Sequence, residues 1–126
     1  MSAIKVWNPA QAAAGLEREW DPAIIAELNG QYVKVVRASG EFVWHHHDAE
    51  DELFYVLEGE MEMHLREEVL RLRKGEACVV PRGVEHRPVI RDTALLMLFE
   101  PKATVNTGNV VEQRTRTELK RLDAEE

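Results

Sequence analysis

Gly40-Glu41-Phe42-Val43-Trp44-His45-His46-His47-Asp48-Ala49-Glu50-Asp51-Glu52-Leu53-Phe54-Tyr55-Val56-Leu57-Glu58-Gly59 is the stretch from which the rest of the chain can be read. Phe42 to His47 and Leu53 to Leu57 have the composition and length of strands, and the polar Asp48-Ala49-Glu50-Asp51 separates them as a turn. Residues two apart on a strand share a face, about 6.5–7 Å apart along its axis. His45 and His47 therefore point one way and His46 the other. The turn lets the chain double back and aim Glu52 at the same centre. The three consecutive histidines lie mid-chain, between Trp44 and Asp48, so they are not a purification tag.

Working outward, the same period of two runs from Gln31 to about Phe99. Tyr32 to Val36, Met61 to Leu65, Val69 to Arg73, Ala77 to Val80 and Ala94 to Phe99 also read as strands. Between strands lie Ser39-Gly40, Glu58-Gly59-Glu60, Arg66-Glu67-Glu68, Lys74-Gly75-Glu76 and Pro81-Arg82-Gly83. Short strands at regular spacing with glycine turns indicate an all-β sandwich or barrel. The alternation in Val69-Leu70-Arg71-Leu72-Arg73 turns both leucines inward. Leu53 to Leu57 is apolar on both faces, which calls for a covering layer, either the N-terminal segment or a second subunit.

The first thirty residues read as helical. Asn8-Pro9 and Asp21-Pro22 each pair a capping residue with proline at the first helical position, and Gly30 suits the end of a second helix over Pro22 to Asn29. Three segments result: a helical extension over 1–30, a barrel over 31–110, and a more polar tail over 111–126 in which Thr115 to Leu122 suggests a short helix.

His86 follows the Pro81-Arg82-Gly83 turn and supplies a fourth donor. Three neutral imidazoles and one carboxylate suit a divalent first-row metal, with up to two octahedral positions left for water or substrate. Affinity order favours copper, nickel and zinc, whereas cellular supply favours iron or manganese.

These spacings resemble the two motifs of the cupin superfamily. The first is matched by Gly40, His45, His47, Glu52 and Gly59, with Gly40 one residue closer to His45 than in the usual pattern. The second is matched by Gly75, Pro81, Gly83 and His86, with Ile90 where the pattern has asparagine. Asp21-Pro22 with Ala26 to Asn29, and Phe99 to Lys102 with Val105 to Val110, extend the likeness to small single-domain cupins labelled mannose-6-phosphate-isomerase-like. The resemblance implies a double-stranded β-helix, or jelly-roll barrel, with a metal held by His45, His47, Glu52 and His86, and frequently a homodimer. Light scattering at about twice 14.4 kDa would register the dimer.

Composition narrows the function classes. The chain has 126 residues, 44% apolar and 31% charged, which fits one globular domain. A formal net charge of −7 argues against nucleic acid and anionic membrane as partners, since both need a basic face. The single cysteine, Cys78, lies in an apolar run and reads as a buried thiol. The absence of a signal-like apolar stretch near the start points to the cytoplasm. His46, His64, Arg82 and Arg87 read as surface residues, and Met61 and Met63 as core filling. The expected function is a metal-dependent enzyme on a small molecule, by dioxygenase-like or isomerase-like chemistry. The alternative is a non-catalytic binder with a structural or anchoring metal. Alternation places no general base besides Glu52, and no lysine or arginine, inside the barrel. Both absences tilt the expectation toward oxygen or hydrolytic chemistry and away from sugar phosphates.

Overall fold

The alternation from Gln31 to Phe99 becomes a jelly-roll barrel in the computed structural model, which describes residues 4–123. Residues 1–3 of the expected extension and 124–126 of the expected tail lie outside the described residues. In chain order the elements are α1 (Pro9–Ala14), β1 (Ala23–Leu28), β2 (Gln31–Glu41), β3 (Glu52–Glu58), β4 (Glu60–Leu65), β5 (Val69–Arg73), β6 (Ala77–Val80), β7 (His86–Pro101) and β8 (Lys120–Arg121). The long strand β7 organises them. One of its edges pairs with β2 from Gln31↔Pro101 to Glu41↔Val89. Its other edge is divided, with β4 against the first part and β3 against the last. A single strand thereby joins β2, β3 and β4 into one eight-stranded sheet. Gly40 is not a turn but the point of a register shift inside β2, with φ +78°. There the sheet bends between Ser39↔Thr93 and Gly40↔Ile90.

The inner faces of β2, β3, β4 and β7 pack Val36, Phe54, Val56, Met61, Met63 and Leu96 into one core. Each such side chain contributes about 1.5–3 kcal/mol relative to exposure. The outer face of the β2–β7–β3 region carries a second cluster, in which Val35, Leu57, Leu95 and Met97 pack with Trp7, Ala13 and Leu16 of the N-terminal segment. The cover for Leu57 is therefore found within the chain. α1 begins as its sequence indicates: the Asn8 side chain accepts the Gln11 amide at 3.0 Å, and Pro9 stands at the start.

Three expectations are corrected. The helix over Pro22 to Asn29 is instead β1, paired antiparallel with β2 and parallel with β8. Ala23, Ile24 and Ile25 are all buried, so this segment is covered on both faces, and its apolar run fits a short strand as well as a helix. The helix over Thr115 to Leu122 is replaced by turns and β8, with the Leu122 amide donating to the Ile24 carbonyl at 2.8 Å. Leu72 is buried, but Leu70 is 36% exposed because β5 is an outermost strand. Between α1 and β1, Trp20 takes φ +59°, a left-handed conformation that costs a bulky residue about 1–3 kcal/mol. No helix among the described residues is long and apolar enough to cross a membrane.

Candidate metal centre

The barrel brings His45, His47, Glu52 and His86 together, with one donor atom from each lying within 4.8 Å of all the others. Glu52 opens β3 and His86 opens β7. The two histidines of the first motif sit on extended backbone rather than a regular strand, joined to the sheet by one bridge between His45 and His86. In that bridge each amide donates to the other's carbonyl, at 3.0 and 2.9 Å. A glycine completes the enclosure. The loop after β7 approaches so closely that a Cβ on Gly108 would stand 2.1 Å from the His46 carbonyl oxygen. Gly108 also has φ +55°, and Asn109 beside it exchanges hydrogen bonds with the His46 backbone at 2.8 and 3.0 Å.

Second contacts orient the rings. Nδ1 of His45 donates to the Val43 carbonyl and Nδ1 of His86 to the Val84 carbonyl, both at 2.9 Å. A carbonyl can only accept, so each Nδ1 carries the hydrogen and each Nε2 is left with a bare lone pair. Glu52 Oε1 lies 3.3 Å from His47 Nε2 and 3.7 Å from His86 Nε2. Yet Glu52 Oε1, His47 Nε2 and His86 Nε2 are buried and without a hydrogen-bond partner. Such a gathering of orphaned polar atoms is costly unless something bridges them. Donors about 2.1 Å from one cation stand roughly 3–4 Å apart, so these separations fit a first-row metal.

Protonation suits the same purpose. Burial, then the neighbouring His86, lowers the His45 pKa to about 4, which leaves its ring neutral at pH 7. Burial would raise Glu52, but interactions with Glu100, His47 and His86 outweigh it and hold this carboxyl well below the ordinary range. Glu100 goes the other way: burial and the Glu52 charge push it well above the ordinary range against the pull of Lys34.

Glu100 and Lys34 are the residues that sequence reasoning missed, and they correct the expectation of a barrel without an inward base or cation. Both are 1% exposed, and Lys34 Nζ lies 2.8 Å from Glu100 Oε1 and 3.4 Å from the Thr104 carbonyl. Lys34 shares the inward face of β2 with Val36 and Ala38, so the period-two pattern contained the signal. Arg82 and Arg87 do not enter the centre: Arg82 grips Asp51 and Arg87 pairs with Glu41. His46 pairs with Asp48 and His64 with Glu62. Burial raises the Cys78 thiol, and the Glu52 charge adds to the effect, so it is a poor nucleophile.

Two of the four donors, His45 and Glu52, border an apolar pocket of about 30 Å³, whose lining also includes Trp20, Phe42, Phe54 and Leu98. Its other lining residues include Pro88 and Asn106, and no lysine or arginine takes part. A second hollow of about 200 Å³ reaches His47 from outside, between Asp48, Glu50 and Asn109.

Residues 32–100 match the family model of the cupin domain. This chain belongs to the cupin family. A crystal structure of a cupin-2 domain protein from Shewanella frigidimarina NCIMB 400 is 38% identical, with a TM-score of 0.74, over 76% of this cupin and 94% of that chain. Protein NMB1881 from Neisseria meningitidis is 31% identical, with a TM-score of 0.70, over 77% of this chain and 99% of its own. The uncharacterized protein YdbB of Bacillus subtilis (strain 168) is 39% identical over 64 residues, which is 50% of this chain and 57% of that relative. This cupin thus spans little more than half the length of that curated relative.

Proposed function

We propose that this cupin is a metal-dependent enzyme acting on a small apolar molecule, with a divalent metal held by His45, His47, Glu52 and His86. The observation that carries the reading is the set of orphaned, buried Nε2 and Oε1 atoms beside an apolar pocket. The four side chains fit a first-row transition ion, and the acidic hollow at His47 offers a cation a route in. A bound metal would supply Lewis-acid polarisation or, if redox-active, electron exchange with dioxygen. The chain itself provides the rest. Nδ1 donations hold the His45 and His86 rings in place, and the apolar walls exclude water and orient substrate toward the ligands.

Dioxygenase-like chemistry is favoured over sugar-phosphate isomerisation. A phosphate needs a cation at the pocket, and Lys34, the one buried lysine among the described residues, is committed to Glu100 and to the Thr104 carbonyl. One observation favours the alternative of a structural or anchoring metal: all four donors are at most 4% exposed.

Elemental analysis of protein purified without a nickel column, beside His86→Ala, tests the reading. Iron or manganese near one per chain, lost in the variant, together with oxygen uptake on apolar substrates, is the expected result. Metal that resists azide and chelating acids would favour the structural alternative, and no metal in either protein would overturn the centre.

A further inference from the structure

The pocket beside His45 and Glu52 is small, and Trp20 is a residue of its lining that lies outside the barrel strands and can be replaced without changing any of their residues. Trp20 reaches it from outside the barrel, on the segment between α1 and β1, and forms its wall together with Phe42. The indole stacks on the Phe42 ring at 4.6 Å and 26°, and Phe42 meets the His45 ring edge-on at 5.4 Å and 84°. The wall is therefore one layer of rings away from a candidate metal ligand.

Trp20 is also held with unusual thoroughness. Its amide donates to the Arg37 carbonyl at 2.9 Å, and its Nε1 donates to the Ser39 carbonyl at 2.8 Å. Arg37 in turn fixes the approach to it by donating to the Leu16 carbonyl at 3.0 Å and the Glu17 carbonyl at 2.9 Å. Arg116 grips Asp21 on the other side at 3.3 Å. These contacts maintain a φ of +59° that a bulky residue rarely adopts. A side chain so constrained is a fixed wall, because swinging it away would break the Nε1 hydrogen bond and the ring stack together.

The space behind it has room for a water molecule or two, at about 30 Å³. Val36, Phe54, Leu96 and Leu98 form the floor, and the amide of Asn106 is already bonded to the Arg114 carbonyl and the Arg116 amide. The pocket thus offers no free polar group besides the metal ligands.

The geometry points to Trp20 as the specificity-determining residue of this site: it restricts the ligand to a metal-binding head carrying an apolar tail of a few heavy atoms, and it bars a ring. This rests on the metal reading above. Acetohydroxamate and benzohydroxamate carry the same chelating head with a methyl and a phenyl tail. Titrated into the cobalt-loaded protein and followed by visible absorption, wild type is expected to bind the methyl compound at least tenfold more tightly. Trp20→Ala is expected to gain at least tenfold for the phenyl compound, with less than a threefold change for the methyl one. Trp20→Leu, which preserves more packing, should move the preference the same way if the alanine variant does not fold.

A metal-free arm separates this proposal from the reading beneath it. Benzene added to metal-free protein, with the methyl resonances of Val36, Leu96 and Leu98 followed by NMR, should shift them in the Trp20 variants and not in wild type. That result stands even if the hydroxamates report no metal. Equal affinity of wild type for the two chelators, or benzene entering wild type and variant alike, would overturn the proposal.

Discussion

Two buried carboxylates on successive strands of the chain, Glu52 on β3 and Glu62 on β4, end in opposite circumstances. Glu62 is 8% exposed and fully engaged: His64 lies 2.9 Å from Oε1, Arg91 2.8 Å from Oε2, and Arg71 3.6 Å away. Glu52 is 4% exposed, faces two imidazole nitrogens without hydrogen bonds, and has Oε1 unpartnered. The first is a charge cluster that balances itself on the outside of the sheet. The second is incomplete without a cation. Charge density alone does not mark a functional site; unsatisfied donors and acceptors, oriented by neighbours, do.

The strongest way to disturb the Glu52 side acts from behind it. Lys34→Met leaves Glu100, a carboxyl that burial and Glu52 already push toward its neutral form, buried without its partner, and is expected to cost about 1–3 kcal/mol for the lost hydrogen bonding. Combining it with Glu100→Leu should recover most of that, as seen by thermal unfolding of the metal-free protein. A single variant as stable as wild type would mean that the pair is open to water.

A matched pair of substitutions then sharpens the comparison. Glu52→Gln should lower metal affinity by more than ~100-fold, since loss of an outer-shell partner alone costs about 10–100-fold. Without metal it should also cost stability, because the neighbours that hold the Glu52 carboxyl well below its ordinary range favour its charged form. Glu62→Gln should keep metal affinity while lowering stability. Equal metal affinity in both variants would erase the distinction.

The smallest effect is in acid. His64, then Arg91, lower the Glu62 pKa from 4.5 to about 2. A carboxylate with a depressed folded-state pKa stabilises above its unfolded value and loses that contribution as pH falls through the folded one. The stability gap between wild type and Glu62→Gln should therefore be constant above about pH 4.5 and shrink toward pH 2. A gap independent of pH across that window would show that packing, not charge, holds Glu62.

Much of this molecule is legible in its sequence. Period-two alternation identifies β3, β4 and β6, and the spacing of His45, His47, Glu52 and His86 picks out the residues that the barrel gathers. Where the pattern fails, the cause is local. Ala23 to Leu28 is short and apolar, equally suited to helix or strand, and only the open edge of β2 decides between them. Alternation turns Glu62 outward, but it assigns a face and not a neighbour, and the Arg91 that engages this carboxylate comes from β7.

By itself, then, the sequence determined the barrel and its four candidate ligands, because strand period and motif spacing are local properties that survive whatever packs around them. Only the tertiary structure decided that Lys34 and Glu100, 66 residues apart, lie paired behind Glu52. It alone also decided that Gly108 closes against the His45–His47 segment and that Trp20 walls the pocket. Those contacts join residues distant along the chain, and their energies arise from burial and hydrogen bonding that exist only once the sheets have closed.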